Sequence, residues 1–381
     1  MKRAIAIGVV VLLAAGAIWF IIRPGDTRGG YRYTVPQTTG DGWQTDSLTA
    51  AKFNARLIDE LFERIADGGY TNINSVLIVR DDKLVVEEYF DGLAPVIGAT
   101  LEEEPDWVGK PQSFNRDTVH TLQSATKSVT SILIGIAIDR QLITGAAEKI
   151  STFFPEFTGK EDVRLKHFLS MTAGLEWHED VPFTDPRNDC ERMNHSADPI
   201  RLLLERPSVA PPGSKFAYNS ALSLSLGEVV HRTSKMPVDQ FARTHLFEPL
   251  GITNHAWKGS FSNGLIHSGG GLYLRPRDMA KIGCMMLNDG RWQGKQIVSA
   301  AWVRESTRQH APDKEYGYQW WRATFKVREQ PHDCFYAGGY GGQFIVVFPS
   351  LRLVVVSTGW NPDRGGQLFD MLQRYILPAA T

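Results

Sequence analysis

The chain has 381 residues, a formal net charge of −1 and only three cysteines. Its length suits one large domain or two closely packed ones. The nearly balanced charge gives no electrostatic reason to expect nucleic acid or an acidic surface as a partner, and three cysteines cannot form a disulfide scaffold.

The N-terminus carries a long apolar segment. Lys2 and Arg3 precede an unbroken apolar run over residues 4–22. At about 1.5 Å per residue this run spans roughly 28 Å, close to a bilayer core of about 30 Å. Residues 1–23 are therefore predicted to be a signal-anchor, a single transmembrane helix in the bacterial inner membrane with the rest of the chain in the periplasm. The alternative is a cleaved signal peptide and secretion to the periplasm, because Ala15-Gly16-Ala17 resembles a cleavage site.

The remaining chain divides into a short linker and a folded domain. Residues 24–45 are rich in Gly, Thr and Pro and are predicted to be a linker before a domain over residues 46–381. Strand patterns lie at both ends of this domain, and the region of about 143–260 between them has helical spacing. We therefore predict an α/β fold, a mixed sheet flanked by helices with an inserted all-helical region. The predicted helices are 48–65, 277–287, 299–308 and 368–376, and the predicted strands are 75–79, 84–90, 344–348 and 353–358.

A hydroxyl and an amine stand at the start of one apolar helical run. Ser124 and Lys127 are three residues apart, so they share a face of the helix and the amine can reach the hydroxyl. A serine needs such a neighbouring base to become a nucleophile, and the backbone N–H groups of a helix N-terminus can stabilise developing negative charge. Taken alone, the pair favours a capping serine with a surface lysine, because this spacing occurs by chance about once in a chain of this length.

Two later segments supply further polar groups. A Pro-Pro-Gly turn at residues 211–213 precedes Tyr218-Asn219-Ser220, and a glycine-rich stretch over residues 337–342 leads into a predicted strand. Glycine beside a strand permits close approach of another backbone or of a ligand. The alternatives are a loop tyrosine packed on the core and a simple bulge or hairpin.

These segments together resemble a known superfamily. The motif Ser124-Ala125-Thr126-Lys127, the motif Tyr218-Asn219-Ser220 and the glycine-rich segment of residues 337–342 occur in the order found in serine β-lactamases and penicillin-binding proteins. Residues 165–175 and 269–281 also resemble stretches of that superfamily. The similarity is greatest to class C β-lactamase-like hydrolases, including 6-aminohexanoate-dimer hydrolases and esterases, and it implies a β-lactamase-like fold.

The resemblance implies a role for each matching residue. Ser124 would attack a carbonyl and form a covalent acyl-enzyme, while Lys127 and Tyr218 would move the protons. Which of those two is the base stays open. The backbone N–H groups of Ser124 and Tyr340, beside Gly339, would form the oxyanion hole. Ser220 would orient a small-molecule amide or ester substrate, and no cofactor is implied.

Two departures from the superfamily pattern bear on the substrate. Ala337 stands where relatives usually carry a cation that grips a substrate carboxylate, and Ser220 stands where they often have Asn. Both changes disfavour β-lactamase and D-Ala-D-Ala peptidase activity and favour neutral amides or esters. The absent cation also leaves open a non-catalytic module that binds peptidoglycan fragments or a partner protein.

Other potential sites are weaker. The stretch His178-Glu179-Asp180 lacks metal-ligand spacing, so no metal is expected. Cys190 and Cys334 fall in predicted loops and are expected to pair in an oxidising compartment, whereas Cys284 lies in a helical core pattern. The sequence leaves the oligomeric state and the substrate open.

Overall fold

The computed structural model describes residues 31–362 and 365–381, and its strands form one large sheet and three small ones. The strands are β1 (Gln44–Thr45), β2 (Ile73–Arg80), β3 (Lys83–Tyr89), β4 (Gly92–Val96), β5 (Asp106–Gln112), β6 (His120–Thr121), β7 (His255–Trp257), β8 (Leu272–Leu274), β9 (Arg291–Trp292), β10 (Lys295–Gln296), β11 (Trp321–Val327), β12 (Gln330–Gly339), β13 (Gln343–Phe348) and β14 (Leu353–Gly359). The large sheet has the order β1-β3-β2-β14-β13-β12-β11. Neighbours are antiparallel except β1 and β3, so the two ends of the domain meet where β2 pairs with β14.

Most helices lie between β6 and β7. The α-helices are α1 (Ala55–Ala66), α2 (Thr126–Asp139), α3 (Ile150–Phe153), α4 (Leu165–Leu169), α5 (Asp189–Asn194), α6 (Pro199–Leu204), α7 (Ser220–Ser234), α8 (Val238–Ala242), α9 (Pro276–Leu287), α10 (Ala300–Thr307), α11 (Gln367–Met371) and α12 (Leu377–Ala380). A 3₁₀ turn at Gln123–Ala125 leads into α2, and π-type turns at Arg243–Phe247 and Leu372–Ile376 extend α8 and α11.

The large sheet separates two hydrophobic cores. Helix α1 and the C-terminal helices pack on one face, where Ile58, Phe62 and Leu372 contact strand residues such as Val76 and Val355. Helix α9 and the helical region pack on the other face. A side chain at Gly283 of α9 would press on Val354 of β14, so glycine lets this helix lie close to the sheet. The 3₁₀ turn that carries Ser124 lies on this second face.

The predicted α/β architecture is confirmed, as are most of its elements. The strand pair around residues 80–83, the C-terminal strands and the helices near 277–287 and 299–308 are present, and α1 begins seven residues later than predicted (55 − 48). The sequence pattern missed the β4–β5 hairpin and the long β11–β12 hairpin. In the strand Trp321–Val327, for example, six of the seven residues are not buried, so the sequence has no continuous apolar run there.

Part of the predicted linker belongs to the folded domain. Trp43 is buried, and β1 pairs with β3. The hydroxyl of Tyr33 donates to the Val85 carbonyl oxygen at 2.8 Å, and that of Tyr31 donates to the Glu88 carboxylate at 2.6 Å. The folded domain therefore begins earlier than predicted. The Gly, Thr and Pro content of this segment favours a linker, but its aromatic side chains anchor it to the domain. Residues 31–45 therefore pack on the domain.

The N-terminal signal-anchor, residues 1–23, lies outside the described residues, so it and the periplasmic location stay predictions. Within residues 31–362 and 365–381, no helix has both the length and the apolar character needed to cross a bilayer.

The predicted disulfide between Cys190 and Cys334 is wrong. All three cysteines are buried free thiols. Cys190 belongs to the core on the helical side of the sheet and Cys334 to the core on the opposite side. The sheet between them prevents the approach of about 6 Å between Cα atoms that a disulfide needs.

A buried histidine makes stability depend on pH. His120 is 2% exposed, with Nδ1 3.0 Å from the Thr121 carbonyl oxygen and Nε2 3.0 Å from the Asn74 side chain. Burial disfavours the imidazolium and lowers the pKa of His120 from 6.5 to about 4. The unfolded chain therefore binds more protons between these values, so folding stability falls as pH drops through this window.

We expect acidification from pH 6.5 to about 4.5 to lower the unfolding free energy by about 2 kcal/mol through this histidine. Urea unfolding of the wild type and of His120→Gln at both pH values measures the effect. The variant should lose less stability on acidification than the wild type. Equal losses in the two proteins would show that His120 does not couple folding to pH.

Candidate active site

Ser124 sits in a tight turn between a strand and a helix. Strand β6 ends at Thr121, and the 3₁₀ turn continues directly into α2. Gln123, immediately before the serine, has a φ of 47°, a left-handed conformation that is uncommon for a non-glycine residue. The Thr121 hydroxyl accepts hydrogen bonds from the backbone N–H and the side-chain amide of Gln123, at 3.3 and 3.0 Å, which stabilise this turn. The turn places Ser124 at the start of the helix, as predicted.

Lys127 reaches back to Ser124 along one face of the helix. Its Nζ donates to Ser124 Oγ at 3.0 Å and to the Gly269 carbonyl oxygen at 2.8 Å. The lysine is only 3% exposed, so these two acceptors fix its amine in a nearly water-free position. Gly269 lies in the turn before β8, and sequence reasoning did not identify it as part of the site.

Tyr218 lies against the same pair. Asn219 caps α7 by accepting from the Leu222 N–H at 3.2 Å, which delivers Tyr218 just before the helix. The Tyr218 ring stacks on Trp321 with centroids 5.9 Å apart, and Lys127 Nζ is 5.2 Å from the Tyr218 ring centroid. Burial raises the pKa of Tyr218, opposed by the Lys127 charge and by hydrogen bonding with Ser124 and Lys127. The phenol is therefore protonated at neutral pH.

The end of β12 forms the opposite wall. A side chain at Gly339 would overlap the Leu122 carbonyl oxygen and approach the Ala125 nitrogen, so this strand end packs directly on the serine turn. Ala337 is fully buried two residues earlier on the same face of the strand. The Tyr340 ring packs edge-on against Phe183, with ring centroids 5.6 Å apart.

Ser220 is held by an acidic side chain. Its backbone N–H donates to Glu179 Oε2 at 2.7 Å, and its hydroxyl donates to Glu179 Oε1. Trp177 Nε1 also donates to Glu179 Oε2, at 2.8 Å. In the sequence, Glu179 stands out only as part of a potential metal motif, whereas the structure places it beside Tyr218 and Ser220.

A comparison with protein-family models identifies the family of this chain. The family model described as Beta-lactamase matches residues 58–366, which include Ser124, Lys127, Tyr218, Gly339 and Tyr340. The chain belongs to the Beta-lactamase family. The chain is thus a serine hydrolase related to β-lactamases, and the resemblance inferred from the sequence is confirmed.

Individual relatives of this Beta-lactamase family member include hydrolases. The 6-aminohexanoate-dimer hydrolase of Paenarthrobacter ureafaciens is 24% identical over 85% of this chain and 81% of the relative. A penicillin-binding-protein homologue from Caulobacter crescentus superposes with a TM-score of 0.64 and 17% identity, covering 92% of this chain and 100% of that one. A family VIII carboxylesterase has a TM-score of 0.61 and 17% identity, covering 89% and 99%. The two structural likenesses establish the shared fold.

Buried hydrogen bonds anchor the helix that carries the Beta-lactamase family's serine motif. Ser128 Oγ donates to the Gln319 carbonyl oxygen at 2.6 Å, and Thr130 Oγ1 donates to the Ser268 carbonyl oxygen at 2.7 Å. Gln319 Nε2 in turn donates to the Leu169 carbonyl oxygen at 2.9 Å. Helix α2 is thus tied directly to the segments around Gln319 and Ser268, and through Gln319 to the end of α4.

Within residues 31–362 and 365–381, no group of three or more His, Cys, Asp or Glu side chains is arranged to hold a metal ion. The predicted site residues Ser124, Lys127 and Tyr218 converge in one cluster. Gly339 adjoins the serine turn, and Ser220 meets Glu179. The pattern missed Gly269, Glu179 and Trp321, and only the Gly269-Gly270-Gly271 turn offered a signal in the sequence.

Proposed function

We propose that the protein cleaves an amide or ester through a covalent acyl-enzyme on Ser124. The observation that carries this proposal is the 3.0 Å contact between Lys127 Nζ and Ser124 Oγ beside the Tyr218 phenol. A nucleophile and a proton acceptor within hydrogen-bond reach are the requirement for activating a serine.

In the acylation step, Ser124 Oγ forms a bond to the substrate carbonyl carbon and its proton passes to Lys127. The carbonyl π electrons move to oxygen, where the backbone N–H groups of Ser124 and Tyr340 would donate. Collapse of this intermediate breaks the bond to the amine or alcohol, which leaves with a proton. Water then attacks the acyl carbon and passes a proton to Lys127, the bond between that carbon and Ser124 Oγ breaks, and Oγ takes a proton from Tyr218 as the acid leaves.

Tyr218 suits the role of proton donor to the leaving group. Its pKa is raised by burial, so the phenol retains its proton in the resting site, and stacking on Trp321 fixes the ring. This assignment leaves Lys127 to receive the serine proton. After each of the two steps, the proton held by Lys127 passes to the Tyr218 phenolate, which restores the resting state of both groups.

The buried Ala337 supports a substrate without a carboxylate near the scissile bond. A neutral methyl group on this face of β12 cannot offset a substrate anion. Membership of a hydrolase family and the assembled Ser124, Lys127 and Tyr218 cluster both favour catalysis over the non-catalytic binding alternative.

A fluorophosphonate probe tests the nucleophile directly. We expect the full-length protein in detergent to gain one adduct, located by peptide mass spectrometry on Ser124, because the serine oxygen displaces fluoride from phosphorus. The Ser124→Ala variant, shown to be folded by circular dichroism, should gain none and should lose turnover of a neutral p-nitrophenyl ester. Undiminished ester turnover in that variant would refute the mechanism.

A further inference from the structure

Glu179 is a carboxylate held rigidly inside the catalytic cluster. Its three hydrogen-bond donors are the backbone and hydroxyl of Ser220 and the indole of Trp177. These contacts involve both carboxylate oxygens, so the side chain has a defined position without any contribution from substrate.

None of these donors carries a positive charge. Among the described residues, no Lys, Arg or His forms an ion pair with Glu179. A partly buried carboxylate bonded only to neutral donors keeps its electrostatic field, which extends further in a site of low dielectric than in water. The Glu179 charge acts on the groups around Ser124. Burial raises the pKa of Tyr218 and of the Cys190 thiol, the Glu179 charge raises both further, and the Lys127 charge lowers both.

A cavity opens from Tyr218 across this carboxylate. It has a volume of about 500 Å³, and its walls include Trp177, Tyr218 and Glu179. Glu176 and Asp180 add further acidic groups at the same cavity, while Lys215 and His178 are the basic side chains among its described lining residues. On the other wall of the site, Ala337 supplies no positive charge.

We propose that Glu179 determines specificity by favouring amide or ester substrates that carry a cationic group, such as an ammonium, next to the scissile bond. This inference rests on the proposed hydrolase function of the same site. A substrate cation in the cavity would be attracted by the Glu179 carboxylate. A substrate anion would be repelled by that carboxylate and would find a neutral alanine, Ala337, where relatives usually carry a cation. Glu179 acts on binding and is not a proton-transfer group in this scheme.

The test compares esters that differ only in charge. Butyrylcholine and neohexyl butyrate have leaving groups of the same shape, with a quaternary nitrogen in one and a carbon in the other. The p-nitrophenyl ester of trimethylammoniobutanoate and its tert-butyl isostere place the same difference on the acyl side. For each pair, the ratio of kcat/KM for the cationic member to that for the neutral member is measured with the full-length protein in detergent.

We expect Glu179→Gln to lower this ratio about tenfold for at least one pair, through the KM of the cationic ester, because one unit charge is removed at close range. The control Glu63→Gln makes the same charge change on the exposed surface of α1, across the sheet, and should leave the ratio unchanged. An unchanged ratio in Glu179→Gln for both pairs would overturn the proposal, even if overall activity fell, because that pattern identifies a residue that only positions Ser220. Absence of turnover of the neutral esters by the wild type would instead contradict the proposed function.

Discussion

Replacing Lys127 by methionine is expected to lower kcat/KM for a neutral ester about 10³-fold, within the range for loss of a general base. Methionine matches the length of the lysine stem but provides no donor for Ser124 Oγ and no site for its proton. The Gly269 carbonyl oxygen would also lose its 2.8 Å partner. The loss should appear in kcat, because the amine acts on the reacting oxygen, and steady-state kinetics with a p-nitrophenyl ester measures it.

A matched variant separates this effect from a change of charge. Lys326→Met, at an exposed position of β11, removes the same charge and should retain full activity. Circular dichroism of Lys127→Met should show a folded protein, since Lys127 contributes one buried side chain among many. If the folded Lys127→Met protein kept wild-type kcat, the serine would have to be activated by Tyr218 alone.

The second large effect is expected at the end of β12. In Gly339→Ala the new Cβ would overlap the Leu122 carbonyl oxygen, and neither backbone can yield without moving the other. The turn that carries Ser124 and the strand end that precedes Tyr340 must then separate. We expect kcat for a neutral ester to fall about 10²-fold, the scale of losing one oxyanion-hole donor. Overpacking should also lower the unfolding free energy by about 1 to 3 kcal/mol.

The neighbouring glycine provides the control. A Cβ at Gly338 would meet the rings of Phe344 and Tyr336 at 3.3 Å on the opposite face of the strand. Side-chain rings can shift by the few tenths of an ångström that this contact requires, so Gly338→Ala should keep kcat close to the wild-type value. Steady-state kinetics and urea unfolding of both variants make the comparison. Equal losses of kcat at the two positions would indicate damage to the strand rather than to the wall beside Ser124.

The parts of the site that follow from short-range rules were predictable. The three-residue spacing of Ser124 and Lys127 on a helix fixes their contact, whatever the rest of the fold does. Continuous apolar runs similarly predicted the strands around residues 80–83 and at the C-terminal end of the domain, where nearly every residue of β2, β13 and β14 is buried. In contrast, the arrival of Tyr218 at this pair depends on helix α7 packing beside α2, and the prediction came from resemblance to known motifs.

Contacts between distant segments were not predictable. Nothing in the sequence around Glu179 indicates that it will meet Ser220, 41 positions later, and its acidic neighbours suggested a metal motif instead. Trp321 begins a half-exposed hairpin strand with weak apolar periodicity, so neither the strand nor its stacking on Tyr218 was evident. The Cys190–Cys334 pairing failed for the same reason, since which face of the sheet each residue occupies is a property of the assembled fold.

The hydrogen bonds that fix helix α2 have a consequence for how activity arises during folding. Lys127, Ser128 and Thr130 are bonded to carbonyl groups 142, 191 and 138 positions away in the chain. Contacts of such long sequence separation close large loops and so form slowly. Under the proposed mechanism, Ser124 therefore acquires its working geometry only after helix α2 has met the segments around Ser268 and Gln319. We expect a newly made or unfolded chain to be inactive until these contacts form.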